Sequence, residues 1–279
     1  MIGYGEKVGK VDRPPRDRGW LLSLAAVVTF LVGWWIVAEL EVWDPLFVPH
    51  PADVWRRFIE SVTTTQTATG REQRGLSNYY LWEHLWASLW RLLRGIFFAL
   101  VIGIPLGLVM ATIRPVRRVL EPFVDFIRSI PPLAYFSLLI IWFGIEDVSK
   151  VWLLFLAAVA PITLSVISGV EGVPKGRLDS ARSLGANRVQ ALVFVTLPSV
   201  LPELLTGLRL AIGFAFTTIV AAETSDGIPG IGGLAWQTKK YNQTDVAILC
   251  IIVIGLTAIL LDQLVKCAER RLTPWRGLA

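Results

Sequence analysis

Long apolar blocks alternate with short charged segments along the 279 residues of this chain. A bilayer core about 30 Å thick requires roughly 20 apolar residues in a helix that crosses it. Six blocks predict transmembrane helices, at residues 20–40, 86–113, 129–145, 151–170, 204–222 and 246–265. No small-residue cleavage site follows the first block, so we expect it to remain as a span rather than to act as a signal peptide.

The segment between the first two spans carries two further patterns. Residues 51–62 place their apolar side chains on one helical face, which predicts a short helix lying on the membrane surface or on other helices. Residues 63–78 are polar and rich in Thr and Gln, which predicts an exposed loop. We expect one transmembrane domain, residues 20–267, between tails at 1–19 and 268–279.

The composition agrees with a membrane protein. The chain is 54% hydrophobic and 18% charged, whereas a soluble domain carries about 25% charged residues. This argues against a soluble enzyme, a disordered regulator or a nucleic-acid-binding protein, although the net charge is +5. Two cysteines in the last apolar block and two histidines provide neither a disulfide framework nor the ligands of a metal centre.

The basic residues predict the orientation of the spans. Sixteen Lys and Arg residues lie in the two tails and in the loops after the second and fourth spans, against seven in the other loops. Because cytoplasmic loops are enriched in Lys and Arg, both termini are predicted to be cytoplasmic. The fold class predicted from the residues is therefore an all-α, polytopic membrane protein with six transmembrane helices.

The loop between the fourth and fifth spans, residues 171–198, has the pattern of two short helices. The first is predicted over residues 174–184 and ends at Gly185, because glycine adopts the left-handed conformation without a Cβ penalty. Asn187 and Gln190 have the spacing of a capping box that begins a second helix, whose apolar positions continue to Pro198. The pattern fits either an ordinary interfacial loop or an element that rests on an apolar partner surface.

The same loop carries a family signature. Asp179-Ser180-Ala181, then Gly185, then Val195-Thr196-Leu197-Pro198 after nine residues, resembles the sequence E-A-A-x3-G-x9-I-x-L-P of permeases in binding-protein-dependent ABC importers. The spacing matches throughout, and the departures are Asp for Glu, Ser for the first Ala, and Val for Ile. From about residue 84 to the end, other segments resemble the permeases of taurine, alkanesulfonate and nitrate importers. Those segments include 131–135, 141–145, 202–209 and 220–223, and residues 270–277 are similar to the end of taurine permeases in particular.

The resemblance implies a type I ABC importer permease fold in the bacterial inner membrane. It also implies a second copy of the chain, two cytoplasmic ATPase subunits that bind ATP and Mg, and a periplasmic substrate-binding protein, with membrane lipid around the spans and no nucleic acid. The residues expected to contact the ATPase are Asp179, Ser180, Ala181, Arg182, Leu184, Gly185, Ala186, Leu197 and Pro198. Independently, the sequence contains no G-x-x-x-x-G-K-[ST] loop to cradle ATP, so we expect no catalytic residues here and hydrolysis in another subunit.

A translocation path or gate is predicted from a few residues within the spans. Pro131 and Pro132 interrupt the hydrogen-bond ladder of the third span, which suits a path or hinge unless the span simply begins at residue 129. Tyr135, in the same segment, and Glu223, at the outer end of the fifth span, complete this prediction. The glycine-rich segment 227–234 is either a loop whose backbone amides meet an anion or a plain connection.

Two isolated charges have simpler interpretations. Asp125 and Arg128 are predicted to form a local ion pair. Arg209, inside the fifth span, is expected to extend to the cytoplasmic interface, which removes most of its cost in the membrane.

The predicted function is the import of taurine or another small alkanesulfonate. The alternatives are import of nitrate or another small anion, an ion-coupled secondary transporter, and an intramembrane enzyme. A secondary transporter would show carboxylates at the membrane midplane and inverted repeats, and an intramembrane enzyme would need titratable groups or metal ligands within its spans.

Overall fold

The computed structural model describes residues 19–66, 70 and 72–274. The predicted N-terminal tail 1–19 therefore lies almost wholly outside the described residues, as do residues 275–279 of the predicted C-terminal tail. The described helices are α1 (Gly19–Glu39), α2 (Pro51–Val62), α3 (Leu81–Thr112), α4 (Arg114–Ser129), α5 (Phe136–Phe143), α6 (Asp147–Glu171), α7 (Lys175–Ser183), α8 (Arg188–Ala191), α9 (Leu197–Asp226), α10 (Ile231–Tyr241) and α11 (Thr244–Leu272).

The all-α, polytopic fold class predicted from the sequence is confirmed, with one addition. Strands β1 (Thr64–Gln66) and β2 (Glu72–Arg74) form an antiparallel hairpin in which Thr64 pairs with Arg74. The prediction of an exposed loop at 63–78 is therefore wrong in part, because two of its segments pair as strands.

The chain divides into two compact units, Met1–Asp53 and Val54–Ala279. In the first unit, the indole Nε1 of Trp34 donates to the carbonyl oxygen of Pro49 at 3.2 Å. The rings of Trp35 and His50 meet edge to face with centroids 4.3 Å apart. These two contacts hold the segment after α1 against the end of that helix.

The predicted helix at 51–62 is confirmed as α2, most of which lies in the second unit. Val54 is buried, and Phe58 and Val62 pack against a core that contains Leu81 and Leu234. The guanidinium Nε of Arg57 donates to the Oδ2 atom of Asp245 at 2.6 Å and so joins α2 to α11.

Five described helices are long and apolar enough to cross a membrane. They are α1, α3, α6, a continuous helix over Arg188–Asp226 and α11. Five predicted spans lie within them, at 20–40, 86–113, 151–170, 204–222 and 246–265, apart from one or two residues at the end of the first two. The chain is therefore a multi-pass membrane protein.

The third predicted span, residues 129–145, is wrong as a single helix. α4 ends at Ser129, and a 3-10 turn over Pro132–Ala134 separates it from α5. A residue that precedes proline is driven out of the helical region, and both Ile130 and Pro131 have ψ near 128°. The eight residues of α5 extend only about 12 Å, too little to cross a bilayer.

The direction of the packed helices shows where the chain between α3 and α6 must run. Along the contact between α3 and α6, Gly95 lies against Leu154, Gly103 against Ile162 and Gly107 against Val166. The contact advances in the same direction on both helices, so α3 and α6 run parallel. We infer that residues 113–146 return across the full bundle, as α4, the 3-10 turn and α5.

Close approach of α3 to α6 depends on small residues. Positions 95, 99, 103 and 107 of α3 are Gly, Ala, Gly and Gly, four apart and therefore on one face, a spacing that permits close helix packing in membranes. α9 packs on α6 in the opposite direction, with Gly169 against Val200 and Gly207 against Ser165. α6 is thus the central helix, and its buried residues form the main core with those of α3 and α9.

The bundle of α3, α6 and α9 has two distinct ends. The hairpin end is where α3 and α6 begin, next to strands β1 and β2. The α7 end is the opposite one, where α3 and α6 end and α7 lies.

Candidate functional site: the α7 loop and the buried ion-pair network

The α7 loop, residues 172–187, begins as the sequence predicts. α7 ends in a Schellman motif, in which the N–H of Gly185 bonds to the carbonyl of Arg182 at 2.9 Å and the N–H of Ala186 to that of Ala181 at 3.0 Å. This geometry requires a left-handed residue, and Gly185 has φ +88°. The predicted conformation of Gly185 is therefore confirmed, and the motif gives a physical reason for glycine at this position.

The next helix begins as predicted but does not end at Pro198. Asn187 and Gln190 form a reciprocal capping box, with bonds of 2.8 and 2.9 Å. A π-helical turn over Leu192–Thr196 then joins α8 to α9 without a break. In a regular α-helix, a proline has no N–H for the carbonyl four residues earlier, and its ring crowds that carbonyl. For Pro198 the residue four positions earlier is Phe194, which lies in the wider π turn. The helix therefore continues through Pro198.

The surface of the α7 loop is largely polar, with one prominent apolar side chain. Leu184 is 90% exposed, and Asp179 and Arg182 of α7 form an exposed ion pair at 3.9 Å. In the helix that follows the loop, Val189 is 68% and Phe194 75% exposed. Leu184 lies outside the predicted spans and is therefore free to contact another protein.

The structure separates two of the nine predicted ATPase-contact residues from the rest. Leu197 and Pro198 lie at the start of α9, where they line an apolar cavity of about 500 Å³ with Ile104, Leu108 and Val166. The other predicted residues, from Asp179 to Ala186, stay together in the α7 loop.

A network of buried charges lies at the hairpin end, centred on Arg91 of α3. Its Nε donates to Oδ1 of Asp147 at 2.6 Å, and its Nη1 donates to Oε1 of Glu223 at 2.7 Å and to the carbonyl of Pro229 at 2.8 Å. The side chain of Arg91 is 7% exposed and that of Glu223 is 0% exposed. Burial of such a pair is tolerated because each charge has more than one partner.

Glu223 also holds the backbone of the glycine-rich segment. Its carboxylate accepts from Ser88 Oγ at 2.8 Å and from the Gly232 N–H at 2.9 Å. Ser88 Oγ accepts in turn from the Ile231 N–H at 3.0 Å. One amide of the segment, that of Gly232, therefore meets the protein's own carboxylate, and those of Gly230 and Ile231 bond to His84 and Ser88. The prediction of a plain loop over 227–234 is wrong in part, because α10 begins at Ile231.

Two further polar side chains extend the network. His84 has Nδ1 3.1 Å from the carbonyl oxygen of Gly230 and Nε2 3.2 Å from that of Leu76. Lys150 is almost fully buried and donates to the carbonyls of Ile145 and Asp226. The network therefore joins α3, α6, α9, the start of α10 and the segment that follows β2.

The charges at the α7 end are more exposed. Arg209 does not merely extend toward the interface, as predicted, but pairs with Asp262 at 2.9 Å and approaches Glu269 at 3.8 Å. Arg117 pairs with Glu121 and with Glu171. The local pair of Asp125 and Arg128 is confirmed at 3.1 Å.

Three residues of the predicted path belong to the break before α5 and take no part in the ion-pair network. Pro131 and Pro132 form the break between α4 and α5, and Tyr135 follows it. The hydroxyl of Tyr135 is buried and finds no hydrogen-bond partner among the described residues. Its ring packs beside Leu139, Leu153 and Ala222.

Sequence reasoning missed Ser88, Arg91, Asp147 and Lys150 as partners. The sequence signal that could have found them is the position of Arg91 and Lys150 at the ends of apolar spans, because ionisable residues in membrane segments are usually paired. Among the residues that the structure describes, no three His, Cys, Asp or Glu side chains are grouped closely enough to hold a metal ion.

Comparison with known proteins agrees with the signature in the α7 loop. Residues 103–274 match the family described as the binding-protein-dependent transport system inner membrane component. The chain is 40% identical over 265 residues to the taurine transport system permease protein TauC of Escherichia coli, covering 95% of this chain and 93% of that protein. It is 32% identical over 253 residues to the bicarbonate transport system permease protein CmpB of Synechococcus elongatus, covering 90% and 89%.

The fold is also found among solved structures. An inward-facing crystal form of the MetNI methionine ABC transporter superposes with a TM-score of 0.62 at 21% sequence identity, covering 69% of this chain and 96% of that one. This confirms the type I permease fold. The chain belongs to the family of binding-protein-dependent transport system inner membrane components.

Proposed function

We propose that this chain is the permease subunit of an ATP-driven importer that passes taurine, or another small alkanesulfonate, from a periplasmic binding protein to the cytoplasm. The observation that carries the proposal is the 40% identity to the TauC permease along 95% of the chain. The exposed Leu184 of the α7 loop supports it, because an importer permease must be contacted by its ATPase.

The α7 loop is proposed to rest in a groove of the ATPase subunit. Leu184, at 90% exposure, would enter the groove, while Asp179 and Arg182 would exchange their weak mutual pair for partners on its rim. Gly185 sets the direction in which the chain leaves α7. Movement of the ATPase subunits would then reach α9 directly, because α8, the π turn and α9 are one continuous helix.

The remaining parts of the machine are proposed from the family. A second copy of the chain, two ATPase subunits that bind ATP and Mg, and a periplasmic binding protein complete it in a bacterial inner membrane. The chain itself would hydrolyse no ATP. The α7 end and both termini would be cytoplasmic, and the hairpin end would face the periplasm.

The break at Pro131 and Pro132 is proposed as a hinge beside the translocation path. Its backbone leaves the helical ladder, and the buried, unpaired hydroxyl of Tyr135 follows it. Such an arrangement suits a segment that changes its contacts between transport states.

ATP-dependent uptake in reconstituted vesicles tests the function. We expect vesicles with the permease, its ATPase and its binding protein to accumulate taurine, and vesicles with the permease alone to hydrolyse no ATP. Longer alkanesulfonates and nitrate serve as competing substrates. Taurine uptake that needs an ion gradient but no ATP would show instead an ion-coupled secondary transporter.

A second candidate is the import of another small anion. The 32% identity to a bicarbonate permease supports it, since related permeases serve chemically different solutes. Uptake of nitrate or bicarbonate that exceeds uptake of taurine would establish this candidate.

Labelling of single cysteines is expected to show the proposed orientation. In a background without Cys250 and Cys267, Gln73→Cys on β2 should react with an impermeant maleimide in cells with a permeabilised outer membrane. Ser180→Cys on α7 should react only after the inner membrane is opened. The opposite pattern would refute the orientation.

A further inference from the structure

The ion-pair network at the hairpin end connects parts of the chain that are far apart in sequence. Arg91 and Glu223 are separated by 132 positions, and Ser88 and Ile231 by 143. The side chains of Ser88, Arg91, Asp147 and Glu223 and the backbone N–H of Ile231 join the ends of α3, α6 and α9 to the start of α10. We call these five residues the outer clamp.

Burial distinguishes the outer clamp from the ion pairs at the α7 end. The Arg91 and Glu223 side chains are 7% and 0% exposed, whereas those of Arg209 and Asp262 are 32% and 38% exposed. Separating a buried pair leaves an uncompensated charge in a medium of low dielectric constant. The two ends of the bundle therefore differ in how deeply their ion pairs are buried in the protein.

The backbone that leads into α10 is bonded to side chains of two helices. Four hydrogen bonds hold the segment 229–232 against α3 and α9.

We propose that Arg91 and Glu223 are positioning residues that hold the hairpin end of each protomer together during transport. The outer clamp keeps the segment 227–232 and the ends of three helices as one rigid body throughout the transport cycle. Opening toward the periplasm is then a movement of one protomer against the other, and the helices do not bend there. This inference rests on the proposed function, because it assigns a mechanical role within that cycle.

Hydrogen exchange in the assembled transporter tests the proposal without any substitution. The amides of Gly230, Ile231 and Gly232 should stay protected in both the nucleotide-free and the ATP-bound complex, with exchange rates that agree within about threefold. Loss of protection in either state, by about tenfold or more, would overturn the proposal.

A charge substitution separates positioning from simple packing. Glu223→Gln should raise exchange over 227–232 by about tenfold and lower the amount of substrate imported per ATP hydrolysed, while the ATPase stays bound. The matched control is Glu203→Gln, an exposed glutamate on the same helix, which should change neither quantity. The double variant Arg91→Gln with Glu223→Gln removes both charges and should recover part of the coupling.

The outcomes are distinguishable from a failure of the proposed function. If the unaltered complex does not form or does not import, the function is wrong. If it imports and Glu223→Gln leaves the import per ATP unchanged, or reduces import only in proportion to the folded protein, the outer clamp has no positioning role.

Discussion

Replacing Gly185 by valine is expected to reduce substrate uptake by about tenfold or more, while the amount of inserted protein stays near that of the unaltered chain. Gly185 has φ +88°, which a β-branched residue adopts only at a cost of roughly 1–3 kcal/mol. The space around it is open, with no atom within 4 Å of a Cβ at this position. The expected defect therefore comes from backbone strain and not from a clash.

The consequence of that strain is a different exit from α7. Without a left-handed residue the Schellman bonds to Arg182 and Ala181 are lost, and Leu184 no longer points where the ATPase groove would receive it. Because the loop lies outside the spans, insertion should proceed normally. Co-purification of the ATPase and ATP-dependent uptake measure the two parts of this effect.

Two controls make the test specific to the conformation of Gly185. Gly185→Asn should retain most of the uptake, because asparagine tolerates the left-handed region. Gly176→Val places the same side chain on α7, at a position that also has no neighbour within 4 Å and has no positive φ, and should have little effect. Normal uptake by Gly185→Val with the ATPase fully bound would disprove the role of this loop.

Gly107→Leu is expected to lower the stability of the purified permease strongly. A Cβ at Gly107 would lie 2.7 Å from Val166 Cβ and 2.8 Å from the carbonyl oxygen of Thr163. The backbone atom cannot move aside, so α3 must separate from α6. Overpacking of this kind costs roughly 1–3 kcal/mol, and occasionally more.

Thermal unfolding in detergent measures this second effect, with a control of equal hydrophobicity. Gly255→Leu on α11 adds the same side chain where no atom lies within 4 Å, and its melting temperature should match that of the unaltered protein. Gly103→Ala, with its nearest neighbour at 3.1 Å, should show an intermediate decrease. Equal melting temperatures for Gly107→Leu and Gly255→Leu would contradict the close packing of α3 on α6.

Features that depend on neighbouring residues could be predicted from the sequence. Five spans follow from their length and hydropathy, since a membrane helix satisfies its own backbone and needs no distant partner to be recognised. The stop at Gly185 and the cap at Asn187 depend on residues within one or two turns. These elements were therefore predicted correctly before any packing was known.

The third span shows where such reasoning is insufficient. Its length and hydropathy favour a helix over 129–145, but two consecutive prolines impose an extended backbone on Ile130 and Pro131. That the segment nevertheless crosses the bundle follows only from the parallel contact of α3 and α6, which no local pattern contains.

The sequence by itself determined that this is a multi-pass membrane protein, where most of its helices lie and how the α7 loop turns, because each of these depends on the chemistry of nearby residues. Only the tertiary structure decided that Arg91 meets Glu223, that Arg209 meets Asp262, and that the glycine-rich segment is held by a buried carboxylate. Each of these contacts joins residues at least nine positions apart, and most join residues 50 or more apart. The physical reason is that a charge in an apolar span needs a partner, but which partner is available depends on how the helices pack.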